Sequence, residues 1–186
     1  MKALFTCLFV TFIACTAFAQ TPDKAVRKRS GHVSGLRAGG NLSGTSQGDL
    51  HFGYHAGVFF DLHPARNYGY SLEVNFSRQG ANYYNTPVVM SYVVVPVLFN
   101  LYVSELALQT GVYAAPLLHA RNRDLNNTYD YTGSMNGMDL GLAFGVKRAV
   151  GRAGLGLRYY HGLENLAASG SKVVNQKLEL SLQVNL

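Results

Sequence analysis

Lys177-Leu178-Glu179-Leu180-Ser181-Leu182-Gln183-Val184-Asn185-Leu186 closes the chain in strict alternation. Successive side chains of an extended strand point to opposite sides. Leu178, Leu180, Leu182, Val184 and Leu186 therefore share one face, and Lys177, Glu179, Ser181, Gln183 and Asn185 share the other. One face is greasy, the other polar and partly charged. The same two-faced pattern recurs about eight times between residue 34 and the end of the chain.

The other end of the chain explains where such a pattern belongs. Lys2 gives a short positive region, Ala3 to Ala14 an apolar run, and Ala17-Phe18-Ala19 a small-x-small cleavage site. This reads as a cleavable export signal, with residues 1–19 expected to be removed and the mature chain expected to start at Gln20. The apolar run is too short for a comfortable membrane span. Phe12-Ile13-Ala14-Cys15 loosely resembles a lipoprotein box, but Phe is a poor residue at its first position. Both cysteines, Cys7 and Cys15, lie in the signal. The mature chain is left without thiols, which removes disulfide frameworks, Cys-ligated zinc and thiol catalysis together and suits an oxidising exported compartment.

Charged residues are only 14% of the chain, with 20 Gly, 12 Tyr, 10 Phe and no Trp. Soluble domains carry about 25% charge, so this chain has too little to coat a soluble surface. The net charge is +6, and Lys24, Arg27, Lys28 and Arg29 supply part of it. In an exported protein that cluster reads as a solvated periplasmic leader over residues 20–33 that touches anionic headgroups or nothing, and not as a nucleic-acid site.

After residue 20 no apolar run is long enough for a helical span, and alternation dominates. Eight strands are expected. They lie at about Ser34–Leu42, Phe52–Leu62, Tyr68–Arg78, Met90–Val103, Leu106–Pro116, Met138–Lys147, Ala153–His161 and Lys177–Leu186. The fourth is apolar on both faces, and Pro96 within it predicts a bulge or local break, because proline cannot donate to a ladder. His63–Asn67, Ser104–Glu105 and Arg148–Arg152 are short connections. Residues 43–51, 79–89, 117–137 and 163–176 are longer and rich in Gly, Asn, Ser, Asp and Thr.

Short turns at one end and long loops at the other suit an up-and-down membrane barrel, apolar outside and polar inside. The expected fold class is all-β: an eight-stranded antiparallel transmembrane β-barrel, residues 34–186, in an outer membrane. Both termini would then be periplasmic and the long loops extracellular. The aromatics support this orientation. Phe52, Tyr54, Phe76 and Tyr159 would form an outer girdle, and Phe60, Tyr68, Tyr70, Phe99 and Phe144 an inner one. Aliphatics such as Val58, Leu72, Leu155 and Leu180 would lie between them.

Arg37, His55, Asp61, Glu73, Asp139, Lys147, Arg158, Lys177 and Glu179 all fall on inward positions. An eight-stranded barrel has an interior just wide enough for side chains, and buried charges need partners. The expectation is a lumen filled by a structural polar network; a proton or small-ion path is the functional alternative. Gly137, Gly141 and Gly145 form a G-x-x-x-G pair that would suit a helix dimer face. With period two around them they read as strand glycines that, with Gly154 and Gly156, make room for large side chains from opposite strands. His161, Glu164 and Ser77 at the outer rim contain the residue types of a lipid-deacylating site, without any spacing signature. His32, His51, His63 and His119 lack metal-ligand spacing. Asn126-Asn127-Thr128 matches a glycosylation sequon inside Arg121–Tyr131, a segment read as an exposed loop that contacts a partner. Nothing in these patterns assigns a catalytic set, a cofactor or a metal.

Six stretches, in order, carry a family resemblance. They are Leu36-Arg37-Ala38-Gly39-Gly40-Asn41-Leu42-Ser43, Gly53-Tyr54-His55-Ala56-Gly57-Val58-Phe59, and Leu72-Glu73-Val74-Asn75-Phe76-Ser77-Arg78-Gln79-Gly80-Ala81. Tyr92-Val93-Val94-Val95-Pro96-Val97-Leu98, Gly141-Leu142-Ala143-Phe144-Gly145 and Arg158-Tyr159-Tyr160-His161-Gly162-Leu163 follow. Over residues 33–186 the chain resembles the outer-membrane β-barrel domain family that includes PorT-type proteins and small barrels of the OmpA/OmpX type. The resemblance implies an outer-membrane barrel, a role in some relatives in secretion or gliding machinery, and no catalytic motif. Barrel-assembly signals commonly end in an aromatic residue; this chain ends in Leu186, with no aromatic in its last strand. The functional expectation is a structural or interaction role, with outer-membrane lipid and a protein partner at the long loops. The rivals are an outer-membrane lipid-modifying enzyme and a soluble lipocalin-like binding barrel, which would need the faces reversed.

Overall fold

The strand period dictates the architecture: each strand can bury only every second side chain, and here the buried set is the polar one. The computed structural model describes residues 31–46, 49–65, 67–83, 86–123, 128–130, 132–166 and 173–186. The expected signal, residues 20–30 of the leader and the sequon asparagines lie outside the described residues. The strands are β1 Gly31–Thr45, β2 Asp49–His63, β3 Tyr68–Tyr83, β4 Thr86–Val103 and β5 Leu106–Arg123. A short β6, Thr128–Asp130, and a 3-10 turn, Thr132–Ser134, precede β7 Met138–Val150, β8 Ala153–Gly162 and β9 Asn175–Asn185. Every ladder is antiparallel between neighbours; β1 pairs with β9 and β4 with β5, so eight strands close into a barrel. The short β6 only extends the outer end of β5. Closure removes the sheet edges that hydrocarbon cannot satisfy.

The usual burial rule is inverted. Val58, Leu155, Leu180 and Leu182 are 51–59% exposed, while Glu73 and Glu179 are 1% exposed. On β3 the outward run Tyr68, Tyr70, Leu72, Val74 and Phe76 is exposed and ends at Arg78. Nine residues at about 3.4 Å each, tilted by about 40°, cover roughly 20–25 Å, the height of the apolar band of an outer-membrane barrel.

Several boundaries differ from expectation. The first strand starts at Gly31, inside the expected leader. Residues 43–51 and 79–89 are mostly strand, paired as Ser43↔His51, Gln79↔Met90 and Gly80↔Val89. Within 117–137, β5 runs on to Arg123 and pairs with β6. The ladders simply continue past the lipid, because Gly-, Asn- and Ser-rich composition permits antiparallel pairing as readily as a loop. The connection between β8 and β9 spans residues 163–174. The short turns lie where expected, and Ser104 and Gly151 take φ of 58° and 63° in theirs.

Pro96 breaks pairing without shifting register: the β3–β4 ladder stops at Leu72↔Val97 and resumes at Asn75↔Val94. Register shifts fall elsewhere: one between Leu50↔Ala81 and Tyr54↔Arg78, and one between Ser91↔His119 and Tyr92↔Leu117, which leaves Leu118 as the extra residue on β5.

The aromatic girdles need one correction. Tyr68, Tyr70 and Phe99 cluster with ring centroids 5.8–6.4 Å apart, and Tyr54 meets Phe76 at 6.5 Å. Phe144, however, is the direct cross-strand partner of Tyr159. Paired residues differ little in depth, so these two cannot occupy opposite rims.

Candidate functional site

The lumen gathers side chains from all eight barrel strands, because inward parity on each strand brings at least one polar residue inside. Glu73 on β3 is the hub. It accepts both terminal nitrogens of Arg158, at 2.8 and 2.9 Å, together with Arg37 Nη1 and, at 3.2 Å, Asn75 Nδ2. Arg37 also donates to Glu179 Oε1 at 2.5 Å and to Ser181 Oγ at 3.0 Å. Lys177 meets Glu179 Oε2 at 3.0 Å and lies 4.1 Å over the Tyr160 ring. His55 Nε2 is 3.6 Å from Glu179 Oε1.

Neutral groups link this cluster to a second ion pair. Arg158 donates to Gln109 Oε1 at 2.8 Å, Gln109 to Asn100 Oδ1 at 2.7 Å, and Asn100 to Ser71 Oγ at 2.6 Å. Ser71 then donates to Asp61 at 2.5 Å, and Lys147 completes the chain at 2.6 Å from Asp61. Asp139 stands apart, accepting Tyr113 OH at 3.0 Å and Asn175 Nδ2 at 2.9 Å. Arg37, Lys147, Arg158 and Lys177 thus face Asp61, Glu73, Asp139 and Glu179, all at most 8% exposed. Seven of these eight charges sit in ion pairs and Asp139 is held by neutral donors, an arrangement a low-dielectric interior tolerates.

Part of the interior is not polar. Met90, Tyr92, Val94, Leu98, Tyr113, Ala115, Ala120, Ala143 and Tyr160 form a buried apolar cluster inside the barrel. Its sequence signal is the apolarity of β4 on both faces. Ser71, Asn100 and Gln109 had only inward parity to mark them as links of the chain. The glycines act more locally than expected. A Cβ on Gly141 would come within 2.6 Å of the Tyr113 ring, and one on Gly39 within 2.8 Å of His55. These neighbours are on adjacent strands, not opposite ones, because at the barrel's curvature a large inward side chain leans over its paired residue. Gly137 precedes β7 and has nothing within 4 Å.

The rim residues do not converge. Ser77 faces the lumen, opposite His55 and Tyr92, and is fully buried. His161 has outward parity and stacks on Tyr159 at 6.3 Å. The barrel wall stands between hydroxyl and imidazole, and Glu164 lies in the exposed connection beyond β8. His32 stacks on Phe60 at 5.9 Å and His63 bonds Tyr102 OH at 2.8 Å. Among the described residues no three His, Asp or Glu side chains group as a metal site. At the end of β6, Asp130 accepts from the Thr132 hydroxyl at 2.6 Å and amide at 2.9 Å, which hold its carboxyl below the ordinary value.

A closed antiparallel barrel with a lipid-facing apolar wall and a charge-paired interior is an integral outer-membrane barrel. The chain belongs to the outer membrane protein beta-barrel domain family, whose model matches residues 18–168. The match is to that broad family; the PorT-type likeness rests on the six stretches given above. No curated protein matches the chain in sequence. Among solved structures it is similar to the Neisserial surface protein A, at 12% identity and a TM-score of 0.57, covering 84% of this chain and 98% of that one. It is also similar to Ail, the attachment invasion locus protein of Yersinia pestis, solved with the heparin analogue sucrose octasulfate. There the identity is 11% and the TM-score 0.53, covering 83% of this chain and 99% of that one. At such identities the likeness is one of fold.

Proposed function

We propose that this outer-membrane barrel works as a structural and interaction element through its outer wall and extracellular end, with a lumen that neither conducts nor catalyses. The observation that carries the reading is the self-compensating interior. Four buried cations pair with Asp61, Glu73 and Glu179, Asp139 is held by Tyr113 and Asn175, and Gln109, Asn100 and Ser71 tie the two ion clusters together. A conducting path needs a continuous aqueous file with charges free to face it. The separation of Ser77 from His161 by the wall counts against lipid deacylation. The exposed apolar wall counts against a soluble lipocalin-like barrel.

Within this reading, the segments 43–51, 79–89, 117–137 and 163–176 supply the surfaces for a protein partner. An accessory role in protein secretion is the more specific form. The test is twofold. Purified protein in planar bilayers gives no resolved conductance steps, and mild-detergent purification from the native membrane retains a stoichiometric protein partner. Steady cation- or anion-selective steps would overturn the closed lumen. Altered acyl patterns of lipid A that depend on His161 would restore the enzyme reading.

A further inference from the structure

Strict alternation along β5 would point His119 and Arg121 into the lumen, with Tyr113 and Ala115. The bulge at Leu118 reverses them. Ala115 and Ala120 both belong to the interior cluster although five positions apart, so one residue has been skipped and His119 and Arg121 turn outward. Arg121 is exposed. Bulges re-aim side chains in this way. His119 pairs with Ser91, and Ser91 pairs with Arg78, also outward and exposed. Three basic side chains on β3 and β5 thus share one sector of the wall.

Their height is defined by their neighbours. Phe76 and Val93, themselves cross-strand partners, are the next outward residues below the Arg78–Ser91 row. Arg121, paired with Val89, lies one outward step higher. Two residues of tilted strand rise about 5 Å, so the three span about the thickness of a headgroup layer. Asp130 pairs with Arg121 in the β5–β6 ladder, and the charges of Arg121 and His119 act on its carboxyl, but no carboxylate oxygen among the described residues lies within ion-pair distance of either arginine.

We propose that Arg78, His119 and Arg121 form an outer-rim belt that binds the phosphate groups of an outer-leaflet glycolipid. The position selects this source. A ligand that reaches side chains standing directly above Phe76 and Val93 must lie beside the wall, in the plane of the membrane; a soluble polyanion meets the loop tips first. Guanidinium groups suit phosphate because their forked donors match its oxygens.

The test compares the full barrel with the Arg78→Gln/Arg121→Gln and Arg78→Lys/Arg121→Lys variants in nanodiscs. Each disc holds neutral phospholipid with either bis-phosphorylated lipid A or its dephosphorylated form. Retained glycolipid is counted by native mass spectrometry, and circular dichroism checks folding. Wild type is expected to retain the phosphorylated form about 25-fold better than the glutamine variant, at about fivefold per arginine. The lysine variant should keep most of that retention, and the dephosphorylated form should not distinguish the proteins. Amide shifts at residues 78, 119 and 121 on titration of wild type with the phosphorylated form alone give a second reading that needs no variant. Equal retention by the glutamine variant, or no such shifts, overturns the proposal. So does loss of sulfated-oligosaccharide binding in that variant with glycolipid retention intact, which would mark the belt as a site for a soluble polyanion.

Discussion

Glu73→Gln tests the lumen most sharply. The substitution keeps the side chain's size and removes one charge. Glu73 is 1% exposed and holds both terminal nitrogens of Arg158 as well as Arg37 Nη1. Without it, Arg158 keeps Gln109 and Tyr160, which are neutral, and Arg37 keeps Glu179. The amide nitrogen of Gln would also face a guanidinium that can only donate. The interior then carries one unmatched cation far from water. Breaking a buried pair by removing one partner costs about 3–5 kcal/mol, and the destabilisation should fall in that range. A second substitution, Arg158→Gln, removes the orphaned charge; the double variant should recover about 2 kcal/mol relative to the sum of the singles. The assay is reversible urea unfolding in detergent–lipid micelles, followed by far-UV circular dichroism because the chain has no Trp. Stability of Glu73→Gln within about 0.5 kcal/mol of wild type, or strict additivity of the pair, would refute the argument that the lumen is held by charge compensation.

The remaining expectations concern the wall and the turns. Leu180→Arg, at the midpoint of β9 and on its exposed face, should cost about 2–4 kcal/mol in a bilayer, and Val184→Arg near the strand end about 0–1 kcal/mol; equal costs in urea titrations would contradict the depth assignment. Gly151→Ala should cost about 1 kcal/mol, because φ is 63° and nothing lies within 4 Å of an added Cβ, so the penalty is backbone strain alone. Glu105→Gln should change stability by less than about 0.5 kcal/mol, since the Arg148–Glu105 pair at 2.8 Å is solvent-exposed; a larger loss would show that this turn contributes more than a surface ion pair.

Period two carries most of the fold in this chain. Once Leu178–Leu186 is read as a two-faced strand, the same parity assigns inward and outward faces from β1 to β9, and the inward set is where the charged residues lie. Parity fails at two kinds of place. At Leu118 a single skipped residue reverses everything beyond it, and nothing in Pro116-Leu117-Leu118-His119 announces the skip. At residues 43–51 and 79–89 the composition suits loop and strand extension alike, so the ladder's continuation is decided by pairing with the neighbouring strand. Partner choice inside the lumen was also beyond reach. That Glu73 holds Arg158 and Arg37, and Asp61 holds Lys147, depends on the stagger at which the barrel closes, which no local pattern specifies. The pairing of Phe144 with Tyr159 follows instead from the two-residue turn at Gly151-Arg152, which sets Val150 opposite Ala153.

The outward direction of the apolar rows can be measured residue by residue. Single cysteines placed along 177–186 of a chain in which Cys7 and Cys15 are replaced by serine, reconstituted in lipid, would be challenged with a water-soluble maleimide and with a lipid-dissolved quencher against an attached probe. Positions 178, 180, 182 and 184 should resist the maleimide and respond to the lipid quencher, and 179, 181 and 183 should respond to neither. Quenching at the odd positions, or maleimide labelling along the even ones, would mean that the oily face does not look into the membrane.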